Sequence, residues 1–174
     1  MLELAILGFL YEESLHGYEL KERITALNGH VRPVSDGALY PAISRLAAAG
    51  LVSQHTEPGT GAAPRRVLSL TDAGRTRLLA RLRDPKPIEI TDATRFFVLL
   101  AFLRHLPDTA AQAAVLRRRL EFLRTAAAGF FDRGRHPRAE DTADPFRQGM
   151  LRIARARGSA ERDWLTETLA ELSH

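Results

Sequence analysis

The sequence predicts a mainly α-helical fold with a small β wing, in two parts: an N-terminal segment, 1–84, and a helical segment, 88–174. Apolar residues recur at helical spacing through most of the 174 residues. Two short β-prone runs, Leu51 to Glu57 and Arg65 to Leu70, flank a loop rich in Pro and Gly. Beyond Asp84-Pro85-Lys86-Pro87 no strong strand pattern returns, so that stretch is the best boundary in the chain.

Leu2 to Tyr11 is apolar enough to be buried on most sides, with Leu4, Leu7 and Leu10 as core positions. A second helix runs from about His16 to Leu27, where Tyr18, Leu20, Ile24 and Leu27 make an apolar side and Asn28-Gly29 ends it. Val31 to Val34 turns the chain. Over 35–49 the next helix places Leu39, Ile43 and Leu46 on one side and Gly37, Pro41, Ser44 and Ala48 on the other. So lean an outer face lets the backbone approach a partner closely. Tyr40 and Arg45 flank it on opposite sides, where each can reach a phosphate from a DNA major groove. We read this as the reader helix of a winged helix-turn-helix, with Ser35 capping it through its hydroxyl. Pro41 is a local conflict, because inside a helix it removes a donor and crowds the carbonyl four residues earlier. Propensity alone starts the helix nearer Pro41.

The wing spans 52–70. Its loop, Pro58 to Pro64, has no apolar anchor, a composition shared by DNA-tracking wing tips and ordinary surface loops; the adjacent Arg65-Arg66 favours the wing. Thr71 can cap the following helix, which carries Leu78, Leu79 and Leu82 on one side and Arg75, Arg77, Arg81 and Arg83 around the rest. Thr91 or Asp92 then starts a helix through Phe96, Phe97, Leu99, Leu100, Phe102 and Leu103 that ends near Leu106-Pro107. Pro107 and Asp108 open a longer one to about Phe131, with Val115, Leu116, Leu120 and Leu123 as apolar positions. After a polar connector, Gly134 to Asp144, a last helix runs from about Pro145 to Leu172. Gly158 weakens it by about 1 kcal/mol relative to Ala.

Three long amphipathic helices with apolar surface on more than one side are hard to satisfy within about 90 residues. A second copy is therefore expected to cover Phe146, Met150, Ile153, Trp164, Leu165 and Leu169, making a homodimer; a monomeric bundle packed on the first domain is the plainer alternative. Trp164 reads as core or dimer seam more readily than as the lining of an effector pocket, and Phe96, Phe97 and Phe102 call for the same reading. The run Arg117-Arg118-Arg119 reads as an exposed face more readily than as a nucleic-acid site.

The motifs resemble those of the PadR-like family of transcriptional regulators. His16-Gly17-Tyr18-Glu19-Leu20 looks like its motif at the start of the helix before the reader, and Ser35 to Val52 like the reader itself; it is this resemblance alone that moves the start of the reader helix back from Pro41 to Ser35. Arg65-Arg66-Val67-Leu68-Ser69-Leu70-Thr71-Asp72-Ala73-Gly74-Arg75 looks like the second wing strand and the entry to the next helix, although the family usually has aromatics where this chain has Val67 and Leu68. The resemblance implies a homodimeric, DNA-binding repressor acting on an inverted-repeat operator, with half-sites about 34 Å apart or a multiple of that. Tyr18, Ser35, Ala38, Tyr40, Ser44, Arg45, Arg65 and Arg66 are the expected DNA-contact residues. The partners it implies are duplex DNA, a second copy and a small-molecule effector of unknown identity; no cofactor, metal or membrane is expected. Tyr40 is also readable as a ring supporting the turn, Arg45 as the partner of an acid on the second helix, and Tyr18 as a packing residue.

Charge tempers this expectation. The formal net charge is +4, yet 1–84 holds ten Lys and Arg against nine Asp and Glu. A near-neutral first segment favours the rival reading, a winged-helix interaction module that dimerises and recruits a partner without touching DNA. Against it, Arg65 to Arg83 carries six arginines with Asp72 as the sole acid, which offers a local basic surface.

Other chemistries lack residues. With no cysteine there is no disulfide or thiolate, and the six histidines stand at no metal-ligand spacing. The two lysines, Lys21 and Lys86, form no phosphate loop, and Ser35 and Ser44 have no evident His/Asp partners. No apolar run nears the roughly 20 residues of a membrane helix, and the start lacks the basic residues of a secretory signal, so a cytoplasmic location is expected.

Overall fold

The computed structural model describes residues 1–27, 33–57, 65–129 and 143–172. These form two compact units, Met1–Leu106 and Pro107–His174. The first contains α1 (Leu2–Glu12), β1 (Leu15–His16), α2 (Gly17–Leu27), α3 (Asp36–Ala48), β2 (Val52–Glu57), β3 (Arg65–Leu70), α4 (Asp72–Arg83), α5 (Pro87–Thr91) and α6 (Ala93–Phe102), then a 3-10 turn over Leu103–His105. The second contains α7 (Thr109–Gly129) and α8 (Pro145–Glu171).

Helix α1 is the hub of the first unit, because its apolar residues go all the way round. Leu4, Ala5, Ile6, Leu7 and Leu10 are buried, and α2, α3, α4, α6 and β3 all pack on it. Gly8 permits the closest approach: a Cβ there would lie 2.5–2.7 Å from the Phe102 ring of α6. Phe102 also meets Phe9 edge-on, with ring centroids 5.0 Å apart. Gly8→Ala is therefore expected to cost about 1–3 kcal/mol by overpacking, read as a lower midpoint in urea unfolding. The Pro-containing stretch after α4 is thus followed by two helices that remain in the first compact unit.

The sheet is antiparallel in the order β1-β3-β2, with Leu15 opposite Leu68 and Val52 opposite Leu70. Sequence reading finds β2 and β3 but not the two-residue β1. Thr71 joins three elements: its hydroxyl accepts from Gly74 N at 3.0 Å, capping α4 as expected, and donates to Gly50 O at 2.7 Å. Gly50 ends α3 with φ +71, and bonds from Gly50 N to Ala47 O and Leu51 N to Leu46 O, both 2.9 Å, close a Schellman motif. Gly74 is equally constrained, since a Cβ there would overlap the Leu51 carbonyl oxygen.

Several side chains stand elsewhere than the sequence suggests. Ser35 sits at the N-cap of α3 with extended backbone, but its hydroxyl makes no capping bond; its carbonyl accepts from Ala38 N and Leu39 N instead. Tyr18, placed on the apolar side of α2, is exposed, and Phe97 is 67% exposed on α6 while Phe96 and Phe102 are buried. Arg119 corrects the reading of its arginine run as an exposed face. It is 2% exposed and donates to both carboxylate oxygens of Glu161, from Nε at 2.7 Å and a terminal nitrogen at 3.1 Å, so it ties α7 to α8. The expected helix stop at Asn28-Gly29, the wing loop and most of the Gly134 to Asp144 connector lie outside the described residues.

His105 gives the first unit a pH dependence. Its ring is nearly buried beside Tyr11, with centroids 4.6 Å apart, and its Nε2 lies 3.3 Å from Glu12 Oε1 without hydrogen-bond geometry. Burial lowers the imidazole pKa against the opposing pull of Glu12, and Arg104 lowers it further. A depressed native pKa means stability that is present above the ordinary value near 6.5 and lost as pH falls below it. Thermal melts should show wild type losing more Tm than His105→Gln between pH 7 and pH 5.5; equal losses would remove His105 as the cause.

Candidate nucleic-acid interface

The amphipathic reading of α3 holds in the structure. Leu39, Ile43 and Leu46 are buried against the first unit's core, while Gly37, Pro41, Ser44 and Ala48 form an exposed ridge. Pro41 lies within the helix, so the Gly37 carbonyl receives no bond from residue 41. Lys21 of α2 pairs with Asp36 at 2.7 Å, which fixes the start of the ridge against the preceding helix.

One flank of the ridge opens into a groove of about 480 Å³ between α3, the start of α2 and the sheet. Tyr40 and Ser44 line it from α3, His16 and Tyr18 from the β1–α2 corner, and Gln54 and Arg66 from the wing strands. The corner is well ordered by its bonds. Glu19 accepts from His16 N at 2.8 Å and from the Tyr18 hydroxyl at 3.2 Å, and these bonds pull its carboxyl below the usual range against the effect of burial. The His16 ring stacks on Tyr18 with centroids 5.8 Å apart and nearly parallel planes, and its Nδ1 lies 3.3 Å from the Arg66 carbonyl oxygen. Tyr40 rests over Gly17, where a Cβ would meet its Cε1 at 3.2 Å.

The structure thus gathers Tyr18, Tyr40, Ser44 and Arg66 around one groove. Ala38 and Arg45 lie on the opposite flank of the ridge by helical geometry. Ser35 and Ala38 border a separate, largely apolar groove with Ile24 and Val98. Arg45 is exposed and makes no ion pair with a described residue, which disfavours its reading as a partner of an acid on α2. Arg65 lies on β3, but its side chain is outside the description. His16 and Gln54 are groove residues that the site reading missed. Period-two alternation from buried Val52 points Gln54 to that face.

The expected basic surface is smaller than the arginine count suggests. Arg75 lies over the Tyr11 ring, 5.0 Å from its centroid, and Arg77 reaches Glu3 at 3.4 Å. Arg81 is partly buried in a bidentate bond with Glu89, which is 1% exposed. Of the described side chains in that run, Arg66, Arg75 and Arg83 are exposed and outside any ion pair among the described residues. Arg81 is the one arginine of that run, among the described side chains, that pairs with a buried acid.

Residues 6–80 match the model of the transcriptional regulator PadR-like family. The match covers less than half of the chain. The match runs from within α1 to within α4, the elements that build the ridge and the groove. No curated protein matches the sequence. Among solved structures, the chain is similar to PadR of Bacillus subtilis in complex with operator DNA, at 22% identity over 98% of both chains with a TM-score of 0.48. The same Bacillus protein in complex with p-coumaric acid gives 22% identity over 99% of both and a TM-score of 0.44. The protein smu.1604c of Streptococcus mutans gives 18% identity over 97% of this chain and 98% of that one, with a TM-score of 0.45. Among the described residues, no three His, Asp or Glu side chains converge as metal ligands, and no helix is long and apolar enough to cross a membrane.

Proposed function

We propose that this protein is a transcriptional regulator, a homodimeric, sequence-specific repressor that binds an inverted-repeat operator through residues 1–84 and dimerises through the helices beyond residue 88. The observation that carries the reading is the exposed small-residue ridge of α3, bordered on one side by the Tyr18, Tyr40 and Arg66 groove and on the other by the exposed Arg45. The ridge enters the major groove with Ser44 and Arg45 toward bases or phosphates, and Tyr40 and Tyr18 hold the backbone. Ser35 and Ala38 contact DNA at the start of the helix, and Arg65 and Arg66 carry the wing. Two copies double each phosphate contact, which offsets the modest charge of one.

The helical region supports the dimer. Phe146, Met150, Ile153 and Trp164 are exposed on α8; Leu169 is only partly so, and Leu165 is fully buried within the second unit, out of a partner's reach. Repression follows from occupying promoter DNA. Its relief follows from a small-molecule effector that binds one reader spacing better than the other, as only differential affinity can shift such an equilibrium.

Fluorescence anisotropy of the full chain on duplex DNA across a salt series tests the DNA-binding step. Affinity should fall linearly with log salt, and Arg66→Ala should reduce the slope by about 1. Salt-independent retention, or none, would favour an interaction module instead.

A further inference from the structure

His16 has no role among the expected contact residues, yet the fold brings it into the groove beside α3 with Tyr40, Ser44, Gln54 and Arg66. Its ring is held from two sides. One face stacks on Tyr18, and Nδ1 lies 3.3 Å from the Arg66 carbonyl oxygen. A carbonyl oxygen only accepts, so in the neutral ring Nδ1 is the nitrogen that carries the proton, and Nε2 is left with a bare lone pair. No hydrogen bond among the described residues uses Nε2.

The groove suits a phosphodiester strand. Tyr40, Ser44, Gln54 and Arg66 bring hydroxyl, amide and guanidinium donors to it. Glu19 turns its two oxygens to His16 N and the Tyr18 hydroxyl, so the acid beside the ring is already engaged. A duplex that takes the α3 ridge into its major groove runs one backbone past this flank.

We propose that His16 is a further DNA-contact residue, whose imidazolium Nε2–H donates to a backbone phosphate, so that each chain takes up one proton from solvent as it binds. This deepens the DNA-binding reading and rests on it. A phosphate oxygen also only accepts, and a neutral ring would meet it lone pair to lone pair. The protonated ring, with N–H on both nitrogens, satisfies the Arg66 carbonyl and the phosphate together.

The sign of the pH dependence follows. A neighbouring phosphate favours the charged ring, so binding tightens as pH falls. An imidazole in water titrates near 6.5; a hold on the proton about tenfold stronger in the complex weakens affinity about fivefold per chain between pH 6.5 and pH 8.5. Around the ring, α2 contributes Tyr18, Glu19 and, beyond it, Arg23; β3 contributes Arg66, α3 contributes Tyr40, and His55 stands on β2 across Val67. Glu19 stays ionised over this range, because the bond from His16 N holds its carboxyl below the ordinary value. Burial keeps His105 largely neutral there.

Anisotropy of a fluorescein-labelled duplex of mixed sequence, titrated with the full chain at pH 6.5, 7.5 and 8.5 and one ionic strength, tests the proposal, since phosphate contacts carry non-specific binding too. Far-UV circular dichroism at each pH checks that every protein is folded. Wild type should lose about fivefold per chain across the range. His16→Gln, whose amide offers a donor near the place of Nε2 at every pH, should give a flat profile. His16→Asn, which keeps a donor for the Arg66 carbonyl and reaches no farther, should be flat and weaker than wild type at pH 6.5. His55→Gln should keep the wild-type slope. A wild-type affinity that falls with salt but ignores pH would overturn the inference and leave the DNA-binding reading in place. Parallel profiles for wild type and both His16 variants, the mark of a structural role, or a slope lost with His55 instead, would do the same. No salt-dependent binding at any pH would remove both.

Discussion

Replacing Tyr40 and Arg45 together by alanine is expected to weaken binding to the operator at least tenfold, about 1.4 kcal/mol, while leaving the dimer intact. Both side chains flank the ridge of α3, and neither closes the core: Tyr40 is half-exposed over Gly17, and Arg45 makes no ion pair with a described residue. Their loss therefore removes contacts to DNA more than contacts within the fold. Tyr40→Phe separates the two parts of the tyrosine, because it keeps the ring over Gly17 and deletes the hydroxyl that can donate to phosphate. Anisotropy titrations at several salt concentrations measure all three proteins, with sedimentation as the control on assembly. Unchanged affinity in the double variant would take both residues out of the DNA contact.

Arg81→Ala is expected to cost about 3–5 kcal/mol of unfolding free energy, the largest stability effect of any single change considered. Glu89 is buried, and Arg81 supplies it with two parallel charge-assisted bonds, at 2.9 and 2.6 Å, beside a third from Lys86 N at 2.9 Å. Burial on its own raises the Glu89 pKa, yet these bonds and the Arg81 charge outweigh it and hold the carboxyl below its ordinary value. A depressed native pKa stabilises the fold above the unfolded value near 4.5, and that contribution is lost as pH falls through the native one. Removing Arg81 reverses the sign, since the unpaired carboxyl titrates high and the variant gains stability relative to wild type as pH drops toward 5. Urea unfolding at pH 7.5 and pH 5 measures both effects. A double replacement of Arg81 and Glu89 by methionine should recover most of the loss, because two packed apolar side chains leave no charge stranded.

Much of this architecture is legible in the residues. The spacing of Leu39, Ile43 and Leu46 identifies the buried side of α3, and Thr71 and Asp92 cap helices where their side chains suit the task, Asp92 accepting from Arg95 N at 2.8 Å. What escaped depends on partners distant in sequence. Strand β1 is two residues long and exists only because β3 pairs with it. The turn of helix at Pro87–Thr91 is disguised by the prolines that introduce it, though Pro at a first helical position is a start signal as well as a breaker. Arginine is the residue whose role the sequence conveys least. Arg66 and Arg81 look alike in the chain, and only tertiary packing turns one toward solvent and closes the other on Glu89. The groove follows the same logic, since Tyr18 and Tyr40 are 22 positions apart and come to line it together because the Tyr40 ring lies over Gly17 at the start of α2.

Selection of bound fragments from a pool of random duplex DNA by the full-length chain, followed by sequencing, tests the central claim most directly. If α3 is the reader helix of a twofold dimer, the recovered sites should converge on an inverted repeat, its halves one helical turn or a multiple apart. The Tyr40→Ala, Arg45→Ala protein should fail to enrich that repeat. A pool that stays random after repeated rounds with the wild-type protein, or that enriches equally with the variant, would contradict the account.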